Sequence, residues 1–290
     1  MTVSDQVAYE SGVRPRFAAL TFAGAALIIV SQLIQLSGAR STVSELTISL
    51  ILLNQRFPLD LIGAIVDAFG FAALALGLGW LQQASKARSA QQQPFVRWLV
   101  LIGGFLAGSM AIVSQIVLAN KANQFVSTGN QGYLEAKQVT SGAIVTGPQL
   151  LALLGTFLLA GGVVWISLNA MRVGLLPKVL GWLGVLVGVF FLFPIAGSIG
   201  PILQGLWLAA VAVVIYGRWP GGTPPAWEAG VAVPWPRPER PPRGAAPARG
   251  SRQRRGEPPP ETSTAVAVSD DEPTSDPSPA TAKRKRKRRR

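Results

Sequence analysis

The stretch "VLGWLGVLVGVFFLFPIAGSIGPILQGLWLAAVAVVIYG", residues 179–217, contains no charged side chain. A helix that crosses a bilayer needs about 20 consecutive apolar residues, so this run is too long for one span and long enough for two. Within it, "PIAGSIGP" at 194–201 has the Pro and Gly residues that end a helix and form a turn. The stretch therefore predicts two membrane spans, 179–197 and 199–217.

Four similar apolar segments precede this stretch, at 17–37, 59–81, 98–119 and 142–170. The predicted fold class is therefore all-α, a six-helix transmembrane bundle. The fourth segment contains Pro148 and is longer than a bilayer requires, so we expect tilt or a kink there. The first segment exceeds the 7 to 15 apolar residues of a signal peptide, which indicates an uncleaved signal anchor.

A further apolar run lies between the first two spans. "STVSELTISLILLNQ", residues 41–55, has capping-box spacing from Thr42 to Glu45 and is too short to cross a bilayer. It predicts a short interfacial helix. Asp60 follows Pro58 closely, so we place it in the first turn of the second span, where unpaired backbone N–H groups favour a carboxylate.

The composition changes after Gly217. Of the 27 basic residues and 22 prolines, 16 and 15 lie beyond that position, among few bulky aliphatic side chains. Such a segment cannot bury enough apolar surface to form a core, so it is predicted to be disordered. The predicted domains are an N-terminal segment 1–16, a six-span domain 17–217 and a Pro/Arg-rich tail 218–290.

The basic residues beside the spans indicate the orientation, because short cytoplasmic loops carry an excess of Lys and Arg. With both termini inside, four basic residues lie outside: Arg40, Arg56, Lys121 and Lys137. The inside set is larger: Arg14, Arg16, Lys86, Arg88, Arg97, Arg172, Lys178 and Arg218. We therefore expect a multi-pass protein of the cell membrane with both termini in the cytoplasm.

The chain contains no cysteine and no histidine. This excludes thiol nucleophiles, disulfides, His-ligated haem and the usual zinc sites, and it removes the side chain best suited to acid–base catalysis near neutral pH. A membrane-embedded enzyme would also need a paired base and nucleophile, which the spans do not offer. We therefore expect a non-enzymatic protein with no cofactor and no metal.

Two segments resemble a known kind of protein: "GLLPKVLGWLGVLVGVFFLFP" at 174–194 and the closing "VIYGRWPGG" at 214–222. In these segments the chain resembles an uncharacterised family of bacterial multi-pass integral membrane proteins. The shared features are a short turn with Pro and a basic residue, an LGWLG-type helix opening and a basic-aromatic end to the last span. The resemblance covers residues 14–221. It implies a topology and brings no activity or catalytic residues.

Two GxxxG spacings occur in the spans, Gly104 with Gly108 and Gly184 with Gly188. Small residues at this spacing let helix backbones approach closely in lipid. We expect them to serve helix packing within the monomer. A homodimer contact is the alternative.

The polar residues of the spans lie toward the outer ends: Gln32, Gln35, Asp67, Gln115 and Gln149. Ionisable groups inside a membrane are rare and normally face the bundle interior. We expect Asp67 to hydrogen-bond Gln32, Gln115 or Gln149, either as a structural clasp or as part of an outward-facing pocket for a ligand or partner. The alternative is a small proton-coupled transporter that uses Asp67, although the inner halves of the spans offer few groups for a complete path.

The tail ends in eight consecutive basic residues, "KRKRKRRR", which we call the octet. Basic residues near an anionic leaflet each gain about 1 kcal/mol, so anionic lipid is the expected partner besides the bilayer itself. RNA or the ribosome is the alternative, through phosphate contacts, and a solvated end without a dedicated partner is a third. The octet comprises Lys283, Arg284, Lys285, Arg286, Lys287, Arg288, Arg289 and Arg290.

Overall fold

The structure is a computed structural model, which describes residues 2–37, 46–89, 91–128, 130–192 and 199–235. Every regular element in these ranges is a helix, as the sequence predicts. The eight helices are α1 (Val3–Leu36), α2 (Leu46–Arg88), α3 (Phe95–Thr128), α4 (Tyr133–Thr140), α5 (Ala143–Val173), α6 (Lys178–Leu192), α7 (Ile199–Tyr216) and α8 (Pro225–Ala229).

Four of these helices, α1, α2, α3 and α5, are long and apolar enough to cross a membrane. This agrees with a multi-pass membrane protein. The apolar helices α6 and α7 have 15 and 18 residues, or about 22 and 27 Å, somewhat less than the roughly 30 Å of a hydrocarbon core. The count of six spans therefore stays a prediction.

The long helices form a closed bundle. Following the chain, α1 packs on α2, α2 on α3, α3 on α5, α5 on α6 and α6 on α7, and α7 packs back on α1. Helix α2 also contacts α5 across the bundle. We call the end at which α1 begins and α7 ends the tail face, and the opposite end the far face.

Helix α2 begins earlier than the sequence predicts. Residues 46–57 are helical and continue through Pro58 into the span, so the separate interfacial helix is not confirmed in the described part of this segment. At 43 residues, α2 is about 65 Å long, which exceeds the thickness of a bilayer core. Asp60 consequently lies inside the helix rather than in its first turn, and pairs with Arg56 at 3.5 Å.

The overlong ends of α2 and α3 are stabilised by a small core at the far face. Leu50 from α2, Phe125 from α3 and Ala136 from α4 are buried together. Helix α4 contacts both long helices there. Burial of these apolar side chains explains why α2 and α3 stay helical beyond the predicted spans.

The four predicted packing glycines lie against neighbouring helices of the same chain. A Cβ added at Gly104 would lie 2.7 Å from Cβ of Ala75 in α2, and one added at Gly108 would lie 3.0 Å from Cα of Ala68 in the same helix. In α6, Gly184 and Gly188 lie against α5, and Gly184 also touches a tryptophan of α7.

The closest approach between α3 and α5 was not predicted. A Cβ added at Gly155 would lie 2.5 Å from the backbone nitrogen of Ala107, and one added at Gly103 would lie 2.5 Å from that of Leu159. These two glycines face each other across the contact. Neither belongs to the two GxxxG pairs described above.

The start of the predicted tail belongs to the bundle. Residues 1–237 form one compact unit, and α8 lies within the segment that composition assigned to the disordered tail. The compact unit thus ends about 20 residues after the boundary at 218 that composition predicts. We call residues 224–235 the strap.

Candidate functional site

The tail face contains a buried ion pair between α1 and α2. Two nitrogens of Arg88 donate to the two carboxylate oxygens of Glu10, at 2.9 and 2.5 Å. The Arg88 side chain is inaccessible and that of Glu10 is 8% exposed. Gln6 donates a further hydrogen bond to Glu10 at 3.0 Å. A bidentate pair with this additional donor leaves little of the carboxylate unsatisfied.

The same arginine binds the strap. Its Nε donates to the carbonyl oxygen of Ala226 at 2.8 Å, and Nη1 also donates to that of Ala84, one turn earlier in α2, at 2.8 Å. Arg88 thus joins α1, α2 and α8 through one planar group. This use of all three nitrogens explains why the charge can be buried.

Arg14 satisfies the end of α7. Its guanidinium donates to the carbonyl oxygens of Val214 and Ile215, which lie in the last turn of that helix. The last carbonyls of a helix have no partner within the helix, and the helix dipole favours a cation there. Arg14 therefore fixes the end of the last long helix against the beginning of the first.

Trp227 of the strap lies between these two arginines and an aromatic stack. The guanidinium carbons of Arg14 and Arg88 are 4.6 and 5.1 Å from the centre of its ring. On the aromatic side Trp227 stacks on Trp80 at 5.5 Å, and Trp80 stacks on Phe17 at 4.9 Å. The indole N–H of Trp227 donates to the carbonyl oxygen of Leu175. The indole of Trp227 thus makes aromatic stacking, cation–π and hydrogen-bonding contacts.

Backbone contacts complete the attachment of the strap. The N–H of Val233 donates to the carbonyl oxygen of Val173, at the end of α5. Gly174 adopts φ of +83° directly beneath the strap, where a Cβ would collide with the carbonyl of Val233. Gly230 lies against Val3 at the start of α1. The strap therefore touches α1, α2 and α5 at one face.

The predicted polar cluster is only partly assembled. Asp67 is half-buried and its carboxyl group interacts with the hydroxyl of Ser31, which also accepts a hydrogen bond from Gln35 at 3.2 Å. This chain connects α1 and α2. Gln32 is buried in α1 near the same level.

The two other predicted members, Gln115 and Gln149, make no hydrogen bond to this chain among the described residues. Gln115 of α3 is half-buried, and its amide oxygen has no hydrogen-bond partner. Gln149 is exposed on α5, one residue after Pro148, so the structure does not bring it into the cluster. A polar residue that the sequence analysis missed, Gln204 of α7, is buried with an unpaired amide nitrogen. Among the described residues, the contacts of this cluster link α1 and α2.

Two grooves open at the tail face. One, of about 550 Å³, lies between the end of α2 and the start of α3 and is lined by residues that include Lys86 and Arg97. The other, of about 320 Å³, lies between α1 and α7 and is mostly apolar, with Arg218 at its edge. The predicted outward-facing pocket would lie at the opposite face.

The described residues offer no metal site, since they contain no group of three or more carboxylates, histidines or cysteines that could hold an ion. The octet lies outside the residues that the structure describes. Sequence reasoning used Arg14 and Arg88 only as markers of orientation and did not identify Glu10 or Trp227. For Trp227 the available signal was its place, with Trp219 and Trp235, in a stretch otherwise rich in Pro and Gly.

No family model, no curated protein and no solved structure matches this chain. The resemblance to an uncharacterised bacterial membrane family therefore stays a prediction. What the chain itself supports is an all-helical membrane protein with four candidate spans and a strap that packs on its tail face.

Proposed function

We propose that this protein is a non-enzymatic multi-pass protein of the cell membrane that holds a basic tail at the cytoplasmic surface, where the octet binds anionic lipid. In this proposal all six long helices span the bilayer and both termini are cytoplasmic. The tail face is then the cytoplasmic face.

The attachment of the strap supports this proposal most directly. The buried contacts of Trp227 and of the Ala226 carbonyl fix the chain to the ends of the helices just before the tail begins. About 50 residues separate the strap from the octet. If they are disordered, as the composition predicts, their r.m.s. reach would be roughly 40 Å, and the octet would act near the headgroups at a high effective concentration.

The positions of the basic residues support the orientation. Arg14, Arg88, Arg172 and Lys178 lie near helix ends at the tail face. The connection between α6 and α7 is short enough for two antiparallel neighbours, and these helices pack on each other. A pair of antiparallel apolar helices returns the chain to the tail face, as an even number of spans requires.

The test uses the full chain in nanodiscs with Ala282→Cys, immediately before the octet, labelled with an environment-sensitive dye. Because the chain has no native cysteine, labelling is specific. We expect a blue shift of the dye in nanodiscs with anionic lipid and none in zwitterionic ones, with the shift falling as salt rises.

The matched control is the same labelled chain with every residue of 283–290 replaced by Gln, which should show no shift in either lipid. An equal shift in both lipids would contradict the proposal. The proposal would also be contradicted if the chain bound RNA at physiological salt and did not bind anionic nanodiscs. That result would favour the alternative in which the octet binds nucleic acid.

A second candidate function is proton transfer by Asp67. The observation that favours it is a half-buried carboxyl group beside Ser31 in the middle of a long apolar helix. Neutralisation of that carboxyl group by Asp67→Asn separates transport from a purely structural role.

A further inference from the structure

The groove between α2 and α3 has the charge expected of a site for anions. Lys86 enters it from the last turn of α2, and Arg97 enters it from the first turn of α3. Among the described residues that line it there are two cations and no carboxylate. The nearest buried acid of the tail face, Glu10, is already paired with Arg88.

Arg97 is incompletely satisfied. Gln83 accepts hydrogen bonds from its two terminal nitrogens when the amide oxygen faces them, but the Nε of Arg97 is buried and has no partner. An arginine is normally held by bidentate bonds to an anionic group, and an orphaned buried N–H is costly. A phosphate in the groove would offer acceptor oxygens to the guanidinium of Arg97.

The floor of the groove is rigid. The buried Gln82 donates to the backbone carbonyl of Gln93 in the turn before α3 and accepts from the side chain of Asn169 in α5. Lys86 and Arg97 therefore lie on two helices, α2 and α3, and these hydrogen bonds and the contact with α5 fix the relative position of the two helices. Preorganised donors bind an anion at a lower entropic cost than mobile ones.

An apolar stripe continues from the groove along α3. Trp98, Ile102 and Phe105 follow one another at helical spacing, and each is at least half exposed. Helix α3 is a candidate span, so this stripe would face lipid tails, with Trp98 at the interfacial level. A ligand with a charged head and apolar chains fits both parts.

We propose that this groove binds the phosphate group of an anionic phospholipid, with Lys86, Arg97 and Gln83 contacting the phosphate and the acyl chains lying along the α3 stripe. The site goes beyond the proposed function of the tail and does not depend on it. It also differs from the α1–α7 groove, whose single cation, Arg218, already lies over the ring of Tyr216 at 5.3 Å.

The test measures lipid binding by native mass spectrometry on the full chain in mild detergent, with residues 283–290 replaced by Gln so that the octet does not contribute. Phosphatidylglycerol is compared with phosphatidylcholine. We expect selective retention of phosphatidylglycerol, and a loss of affinity of about tenfold or more in the Lys86→Gln/Arg97→Gln double variant.

The matched control is Arg172→Gln/Lys178→Gln, which removes the same charge from exposed positions at the tail face and should bind phosphatidylglycerol like the parent. Lys86→Gln alone alters only an exposed residue and should give an intermediate loss, which guards against misfolding of the double variant. Equal loss in both double variants would overturn the site. Displacement of the lipid by an equal concentration of inorganic phosphate would also overturn it and indicate a soluble phosphate ligand.

Discussion

Replacement of Arg88 by Met should release the strap from the tail face. The substitution keeps most of the side-chain volume but removes the guanidinium, together with its bonds to Glu10, Ala84 and Ala226. Glu10 then remains as a charge of low exposure, with Gln6 as its one other described donor. Trp227 loses one of the two cations that lie over its ring.

The expected magnitude follows from the burial of the pair. Removal of one partner of a buried ion pair costs about 3 to 5 kcal/mol, because the other charge is left uncompensated. If this cost falls on the docking of the strap, the equilibrium constant for its release rises by roughly two to three and a half powers of ten, since each 1.4 kcal/mol is a factor of ten. The long helices should stay inserted, because their apolar contacts are unchanged.

The assay is the rate at which a maleimide labels Ala226→Cys. Ala226 is completely buried in the strap and the chain has no other cysteine, so labelling requires local opening. In the parent background labelling should be slow. With Arg88→Met added, it should accelerate by about a hundredfold or more, or reach the rate of an unfolded peptide.

Two controls decide whether the pair itself is responsible. Lys178→Met removes an exposed positive charge from the same face and should leave labelling unchanged. The double variant Glu10→Leu/Arg88→Met removes the stranded carboxylate and should recover part of the lost protection. Labelling of the Arg88→Met chain at the parent rate would refute the reasoning, since it would mean that the pair does not hold the strap.

Two further predictions concern the bundle. Gly155→Val should lower the free energy of unfolding by about 1 to 3 kcal/mol, because its Cβ would collide with α3. The measurement is the thermal unfolding midpoint in detergent. Gly161→Val is the control, since a Cβ there meets nothing within 4 Å, and equal shifts for the two variants would contradict the close approach. Asp67→Asn should preserve stability and Asp67→Leu should cost about 1 to 3 kcal/mol, because only Asn can still bond Ser31. If Asp67→Asn abolishes proton flux in proteoliposomes and leaves stability unchanged, transport is favoured over a clasp. If Asp67→Asn and Asp67→Leu are equally stable, the clasp is excluded.

The sequence predicted the helices well and their ends poorly, for a physical reason. Hydropathy detects the part of a helix that must lie in lipid, and the predicted third span, 98–119, falls inside α3. The extensions of α2 and α3 are stabilised by contacts such as Leu50 with Phe125, which join segments distant in sequence. A window along the chain does not register such contacts.

The same limit applies to the sites. The GxxxG pairs of α3 and α6 could be identified because their spacing has a local meaning, whereas Gly103 and Gly155 matter only because they face each other. Gln149 had the depth expected for the polar cluster, but depth does not determine which side of α5 a residue occupies. The Glu10–Arg88 pair joins the two ends of different helices, and no periodicity connects them.

The strap gives the tail face a role in assembly. Its contacts come from α1, α2 and α5, and Arg14 adds the end of α7, so the full set can form only after each of these helices has its final position. Until then Glu10 and Arg88 would be separate charges, each solvated by water. Their burial as a pair is favourable only when Trp227 and the Ala226 carbonyl close over them, because water is then replaced by fixed donors and acceptors. Docking of the strap is therefore expected to be the last step of folding, and protection of Ala226 to report on the whole bundle rather than on α8 alone.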